Sequence, residues 1–455
     1  MKLRILILCL IFAISTGCGI KQTISEYIGG GDNTIPPSPL INFTETAKLN
    51  KVWLQNTGKG TDDSFTNITP TILDEQIFIA DPKGNIAALT IKSGDFVWRN
   101  DSRLSITGGP GAGSSLVLVG TSEGEILALS RNTGSEAWRT KVSSEVLSSP
   151  READGVVVVR TIDGKHLWIY DRSVPTLSLR GTSSPVIANG LIITGFDDGR
   201  LAVIELKTGK LVWEKKVAFS RGRNELERMV DIDAQPLVIE KIIYVTTFQA
   251  NVSAISLETG QILWQREISS HSELSADKKN IFLTEDNGSV WALNRFTGAS
   301  VWKQEKLANR KVTGPAILGD KVIVCDAEGY MHWLDKETGD FAVRTRIGDN
   351  PILTQPINSN DILFVYSSSG ALSAYTYKNI EEKYITKELE NKKSVPEETI
   401  SADKKTAYER SRRVSIEKNS NKEIIENTEK ESENEDSLFG RFLNIFSDDS
   451  EEDVE

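Results

Sequence analysis

Cysteine is nearly absent from this chain: three residues in 455, at Cys9, Cys18 and Cys325. They form no vicinal pair and no disulfide framework, so a stapled miniature fold and a paired-thiol redox site both drop out. Histidine is equally scarce. His166, His271 and His332 are scattered without the spacing that a metal site needs. A basic field is also missing: the net charge is −11, and residues 379–455, with 22 acidic against 13 basic residues, carry −9 of it. The preceding body is near neutral, with nothing to attract nucleic acid. The one apolar run at the N-terminus, Ile5 to Ile14, is too short for a stable membrane span.

What the chain does have is a repeat. Six times a Gly, Ala or Asn-type strand opening sits 14 residues before one recurring site, which is Trp in five cases: Gly84 to Trp98, Gly124 to Trp138, Gly199 to Trp213, Ala250 to Trp264, Gly288 to Trp302 and Gly329 to Val343. A second glycine falls four residues before that site: Gly94, Gly134, Gly209, Gly260, Gly298 and Gly339. Self-similarity of about 40 residues in β-type sequence is the signature of a β-propeller. In the unit Gly199 to Trp213, Leu201, Val203 and, after a frame change, Ile204 and Leu206 form an apolar strand. Lys207 to Lys210 is a tight turn in which Gly209 accepts positive φ, and Leu211 to Trp213 returns. A flat indole suits the gap between twisted sheets, so the Trp row reads as inter-blade packing.

Two further openings, Gly164 and Gly370, lack the Trp, and the first runs into Asp171 to Pro175 without the Thr-Gly turn. Eight openings across 50–377 give about 41 residues per unit, the expected blade length. The expectation is an all-β, eight-bladed propeller over 50–377. Trp53, in the run Lys51 to Gln55, supplies the strand that the last unit lacks, so the N-terminal strand pairs with the last blade and closes the ring.

Lys2 and Arg4, the apolar run, and Ser15 to Cys18 make a secretory signal over 1–17. Ending at Gly17-Cys18, it is similar to a bacterial lipoprotein signal, which implies lipidation at Cys18. Gly19, where an Asp would favour inner-membrane retention in such proteins, implies the outer membrane. Residues 18–49, with Gly29 to Asn33 and Pro36 to Pro39, read as a tether.

Pro175 to Gly181, Asp198-Gly-Arg200, Asp231-Ile-Asp233 and Asp326 to Trp333 together resemble the BamB family of outer-membrane assembly lipoproteins. The resemblance runs from the signal to about Tyr377. It implies an eight-bladed, lipid-anchored, periplasm-facing accessory subunit of the machinery that inserts β-barrel proteins, without catalytic activity, cofactor or metal. It also implies contact with the periplasmic domain of the central barrel subunit (BamA-like) through Leu177, Leu179 and Arg180 and through Asp231 and Asp233. Unfolded outer-membrane proteins are a further expected partner. The residue pattern is compatible: Leu177 and Leu179 share one face of an extended segment with Arg180 opposite, and Asp231 and Asp233 likewise share a face. The bland readings stay open: core leucines, and an Arg180 that pairs with Asp231 or Asp233 within the propeller.

Quinone-dependent (PQQ) dehydrogenases carry the same repeat, but their cofactor cage needs metal-binding carboxylates and often adjacent cysteines, and no such set stands out here. Gly108 to Gly113 superficially resembles a phosphate loop, yet it lacks a following Lys-Ser/Thr and reads as a loop between strands. A periplasmic binding module for another target is the remaining alternative. Residues 378–455 form a charged extension, too poor in large apolar groups to order itself over 379–436. Within it, 437–447 places Leu438, Phe439, Phe442, Leu443 and Phe446 on one helical face, a short motif suited to a partner's groove.

Overall fold

Apolar strands that alternate with glycine-bearing turns leave each sheet with two faces to bury, and the chain buries them against neighbouring sheets. The computed structural model describes residues 35–61, 68–161, 183–219 and 229–380. All secondary structure among these residues is β: thirty strands, arranged in seven four-stranded antiparallel sheets and one two-stranded sheet. Six of the complete sheets are built from consecutive strands within 71–101, 106–141, 186–216, 237–266, 275–304 and 316–346. The seventh joins Ile357–Ser359, Ile362–Tyr366 and Ala371–Asn379 to the N-terminal strand Ala47–Asn56.

The fold is a β-propeller, with one correction to the expected count. Seven complete blades, not eight, are present among the described residues. Arg151–Ala153 pairs with Val156–Val158 alone, and its inner strand lies beside Ile106–Ala112 on one side and Val186–Ala188 on the other. The unit expected to open at Gly164 falls within 162–182, outside the described residues, as do the signal, Cys18 and the extension from residue 381. The closing strand begins at Ala47, inside the stretch assigned to the tether, and runs antiparallel to Ala371–Asn379 with Trp53 opposite Ala374.

The Trp row is inter-blade packing, and its chemistry explains the second glycine. Five of the indole N–H groups donate to a carbonyl in the outer turn of the following blade: Trp53 to Ile91 at 3.0 Å, Trp98 to Arg131 at 2.7 Å, Trp213 to Leu257 at 2.8 Å, Trp264 to Arg295 at 2.8 Å and Trp302 to Lys336 at 2.9 Å. The ring then lies against the glycine of that same turn. A Cβ on Gly94 would fall 2.6 Å from Trp53, and one on Gly298 2.7 Å from Trp264. These glycines also hold φ near +70°, so two independent constraints select the residue. Trp98 joins Phe78 and Ala88 of its own blade to Val117 and Leu127 of the next in one buried cluster. The expected frame change is a β-bulge just past the residue that faces the Trp, as between Val203 and Ile204, and it recurs at Ala88/Leu89 and Ala254/Ile255. Such bulges add local twist, which suits wedge-shaped blades.

The glycine run 108–113 is corrected too. It forms the inner strand Ile106–Ala112, not a loop, with two register shifts. A Cβ on Gly108 would lie 2.5 Å from the Ser148 carbonyl, and one on Gly111 1.7 Å from that of Pro150. Glycine is needed there because the neighbouring backbone approaches too closely for a side chain.

Candidate partner-binding face

Loops that lead into each inner strand converge at one end of the ring around a cavity of about 890 Å³. Every ring position contributes to its lining, through Thr71, Thr107, Arg151, Ser184, Asp233, Glu273, Thr313 and Gln355 in turn. The two-stranded sheet therefore holds a place in the ring, through Leu147, Ser149 and Arg151.

Of the expected contact residues, Leu177, Leu179 and Arg180 lie outside the described residues. Asp231 and Asp233 are described, and they flank a structural pin. Ile232 between them is fully buried, packed so tightly on Gly195 that a Cβ there would sit 2.3 Å from its side chain. Its N–H donates to the Phe196 carbonyl at 3.3 Å, and the Asp231 carbonyl accepts from the Phe248 N–H at 2.9 Å. Ser183 ties down the next residue but one, donating to the Ala234 carbonyl at 2.9 Å. The alternation buried–buried–half-buried across 231–233 is thus fixed by the neighbouring blade, not by a strand of its own.

Electrostatically the two acids differ from ordinary surface carboxylates. Asp231 is buried, and both carboxyl oxygens of Asp233 are buried without a hydrogen-bond partner. Burial, reinforced by Asp231 and Asp197 and only partly offset by Arg160 and His271, pushes the Asp233 carboxyl up to about 8. Such an acid keeps its proton near neutral pH, because a lone buried carboxylate is costly until a donor or cation reaches it.

Around it stand residues that sequence reasoning passed over. Arg160 pairs with Asp197, both side chains about 11% exposed, and its guanidinium lies 5.4 Å over the Phe196 ring. Arg151 donates to the side-chain carbonyl of Gln235. Burial lowers the Arg151 pKa and raises that of Glu273, each effect opposed by the other's charge. His271 holds Asp286 through Nδ1 at 2.6 Å; that hydrogen bond, working against burial, raises the imidazole above its ordinary value. Arg151 opens an inner strand, and Phe196, Asp197 and Asp286 sit in turns within their own blades, so the group is gathered from several elements. The family resemblance carried in part by Asp231-Ile-Asp233 was the one signal that pointed here.

The other singled-out groups are structural. Cys325 is fully buried, with its thiol pushed up by burial, and His332 is fully buried between Asp326 and Arg344. Among the described residues, no group of three or more His, Cys, Asp and Glu is placed to hold a metal ion.

Comparison with known proteins decides the family. The family model described as outer membrane protein assembly factor BamB matches residues 82–304 and 301–422. The BamB of Kangiella koreensis is 43% identical over 334 residues, covering 70% of this chain and 86% of that protein. The chain belongs to the BamB family of outer membrane protein assembly factors. The Pseudomonas aeruginosa member is 41% identical over 352 residues, covering 75% of this chain and 93% of its own length. The crystal structure of BamB from Moraxella catarrhalis shares the fold, with a TM-score of 0.66 at 24% identity, covering 72% of this chain and all of that one. Family members are named as assembly factors, which agrees with the non-enzymatic reading.

Proposed function

We propose that this protein is a non-catalytic scaffold of outer-membrane protein assembly that docks the periplasmic domain of the central barrel subunit on the cavity-bearing end of the ring, its funnel face. The observation that carries the reading is Asp233: a buried, unpartnered carboxyl in a rigidly pinned segment, at the mouth of a cavity lined by the whole ring. A partner that brings a cation to it would displace the carboxyl proton and pair with the carboxylate away from water, where the attraction is little screened. Leu177 and Leu179 would add apolar anchors and Arg180 a charged one.

The finer architecture follows the same reading. Arg151–Ala153 and Val156–Val158 are the inner strands of an eighth blade, supported by their place between two complete blades. The ring is tethered to the outer membrane through a lipidated Cys18 and faces the periplasm. Unfolded outer-membrane proteins pair with exposed blade edges, and 437–447 folds on a partner's groove. Co-purification tests the docking: Asp233→Arg should lose the barrel subunit while thermal unfolding stays cooperative. Undiminished capture by that variant and by Arg180→Glu would sink the proposed face.

A further inference from the structure

The segment before the closing strand is not free. Residues 38–46 lie along the outer strand Phe341–Arg346 of the 316–346 blade and are held at both ends by main-chain bonds. The Ser38 N–H donates to the Ala308 carbonyl and the Thr46 N–H to the Ala342 carbonyl, both at 2.9 Å. Phe43 stacks on Phe341 at 5.3 Å, and Ile41 and Phe43 pack against the buried cluster between that blade and the 275–304 one.

Two arginines clamp the strap by its backbone. Arg310, whose side chain is 2% exposed, donates through Nη1 to the Ser38 carbonyl at 2.9 Å, through Nε to Asp326 at 2.7 Å and through Nη2 to Glu328. Arg344 donates through Nη1 to the Ile41 carbonyl at 2.7 Å and lies 5.0 Å over the Phe43 ring. Its Nε–H donates to Nδ1 of His332 at 3.2 Å, while Nε2 of that imidazole meets Asp326 at 2.9 Å. An Nδ1 that accepts a hydrogen bond carries no proton, so the ring must be neutral, with its proton on Nε2 pointing at the carboxylate.

We propose that residues 38–46 are a pH-sensitive strap, latched to the 316–346 blade by neutral His332 through Arg344 and released when that imidazole is protonated. Protonation puts an N–H against the Arg344 guanidinium and removes the acceptor that orients it. The charged groups around the ring leave this outcome intact. Arg310 and Arg344 approach from the preceding loop and the outer strand. Asp326 and Glu328 come from the adjoining turn, and both acids are already bonded to Arg310. Tyr330 stacks at 6.1 Å on the same strand, and the strap's own acid, Glu45, is exposed. Burial lowers the His332 pKa, opposed by Asp326 and helped by the two arginines. The latched state therefore binds fewer protons than the released one. Latching is complete above the free imidazole value near 6.5 and is lost as pH falls through the lower, latched value.

The latch sets where the N-terminal chain leaves the body. Latched, it departs at Ser38, beside Arg310 in a loop that leads to the funnel. Released, it departs at Ala47, at the opposite end of the outer strand. Nine freed residues lengthen the leash by about 30 Å. On the anchored reading above, this changes how far and at which end the propeller is held from the membrane; the latch itself does not need that reading.

The test is hydrogen exchange of the 38–46 peptide in the intact chain at pH 7.5 and pH 5.0, corrected for intrinsic rates, with 321–325 as internal reference. Protection of 38–46 should fall at pH 5.0, by up to the ceiling of about thirtyfold set by the free imidazole value. The reference peptide should not change. Arg344→Met should show low protection at both pH values. Unchanged protection of the wild-type strap at pH 5.0 would overturn the switch, and wild-type protection in Arg344→Met would overturn the clamp.

Discussion

Alanine at Gly298 tests the interlock between blades. The substitution faces two obstacles: φ of +71° and a Cβ placed 2.7 Å from Trp264. The left-handed backbone alone costs about 1–2 kcal/mol for a residue with a Cβ. Forcing the indole aside adds about 1–3 kcal/mol of overpacking and weakens its 2.8 Å bond to the Arg295 carbonyl. A total of about 2–5 kcal/mol follows. Gly190 supplies the control, because it holds φ of +73° with nothing within 4 Å of an added Cβ. Gly190→Ala should therefore cost only about 1–2 kcal/mol. Urea unfolding followed by Trp fluorescence and by far-UV dichroism gives both numbers. The double variant Gly298→Ala/Trp264→Ala should be less destabilised than the sum of the singles, since the clash disappears with the ring. Equal costs at Gly298 and Gly190 would refute the claim that indole-on-glycine contact couples the blades.

Three further outcomes are expected. Tyr377 and Asn379 on the last blade bond Asp320 on the preceding one, beside Lys321; burial would raise that carboxyl, but these bonds and the lysine charge bring it down to about 2. Its contribution is present above the unfolded value near 3.8 and lost as pH falls through 2, so the Tm gap between wild type and Asp320→Asn should close in that window. Asp233, raised to about 8, has the opposite sign: its contribution is full below pH 3.8 and lost as pH rises through 8. Asp233→Asn should gain stability over wild type as pH is raised from 4 to 8, seen in thermal melts, while losing capture of the barrel subunit. Trp53→Phe, which removes the bond to the Ile91 carbonyl, should cost about 1 kcal/mol or more in urea unfolding.

The repeat made the propeller legible because one interlock recurs at fixed spacing. Trp98 and Gly134, or Trp264 and Gly298, are partners across blades, so both had to recur at the blade period. Trp53 showed the closure for the same reason: an unmatched Trp strand at one end answered a missing one at the other. Legibility failed where the period breaks. Gly108 and Gly111 sit in an inner strand for the sake of a neighbouring backbone far along the chain, which no local pattern records. The latch at His332 was equally hidden, since Arg310, Arg344 and the strap meet only once the ring closes. At the candidate face, Asp231 and Asp233 were singled out through the family resemblance, but Ile232, which pins them, looked like any core residue. The orphaned state of Asp233 is a property of packing from several loops.

The central claim is that the funnel end, not the outer rim, meets the barrel subunit. A photo-crosslinking residue placed at Gln235, which lines the cavity, and at Leu263, exposed on an outer strand, tests it directly in membranes containing the whole assembly. Adducts with the barrel subunit are expected from position 235 and none from position 263. Adducts from 263 alone would contradict that claim.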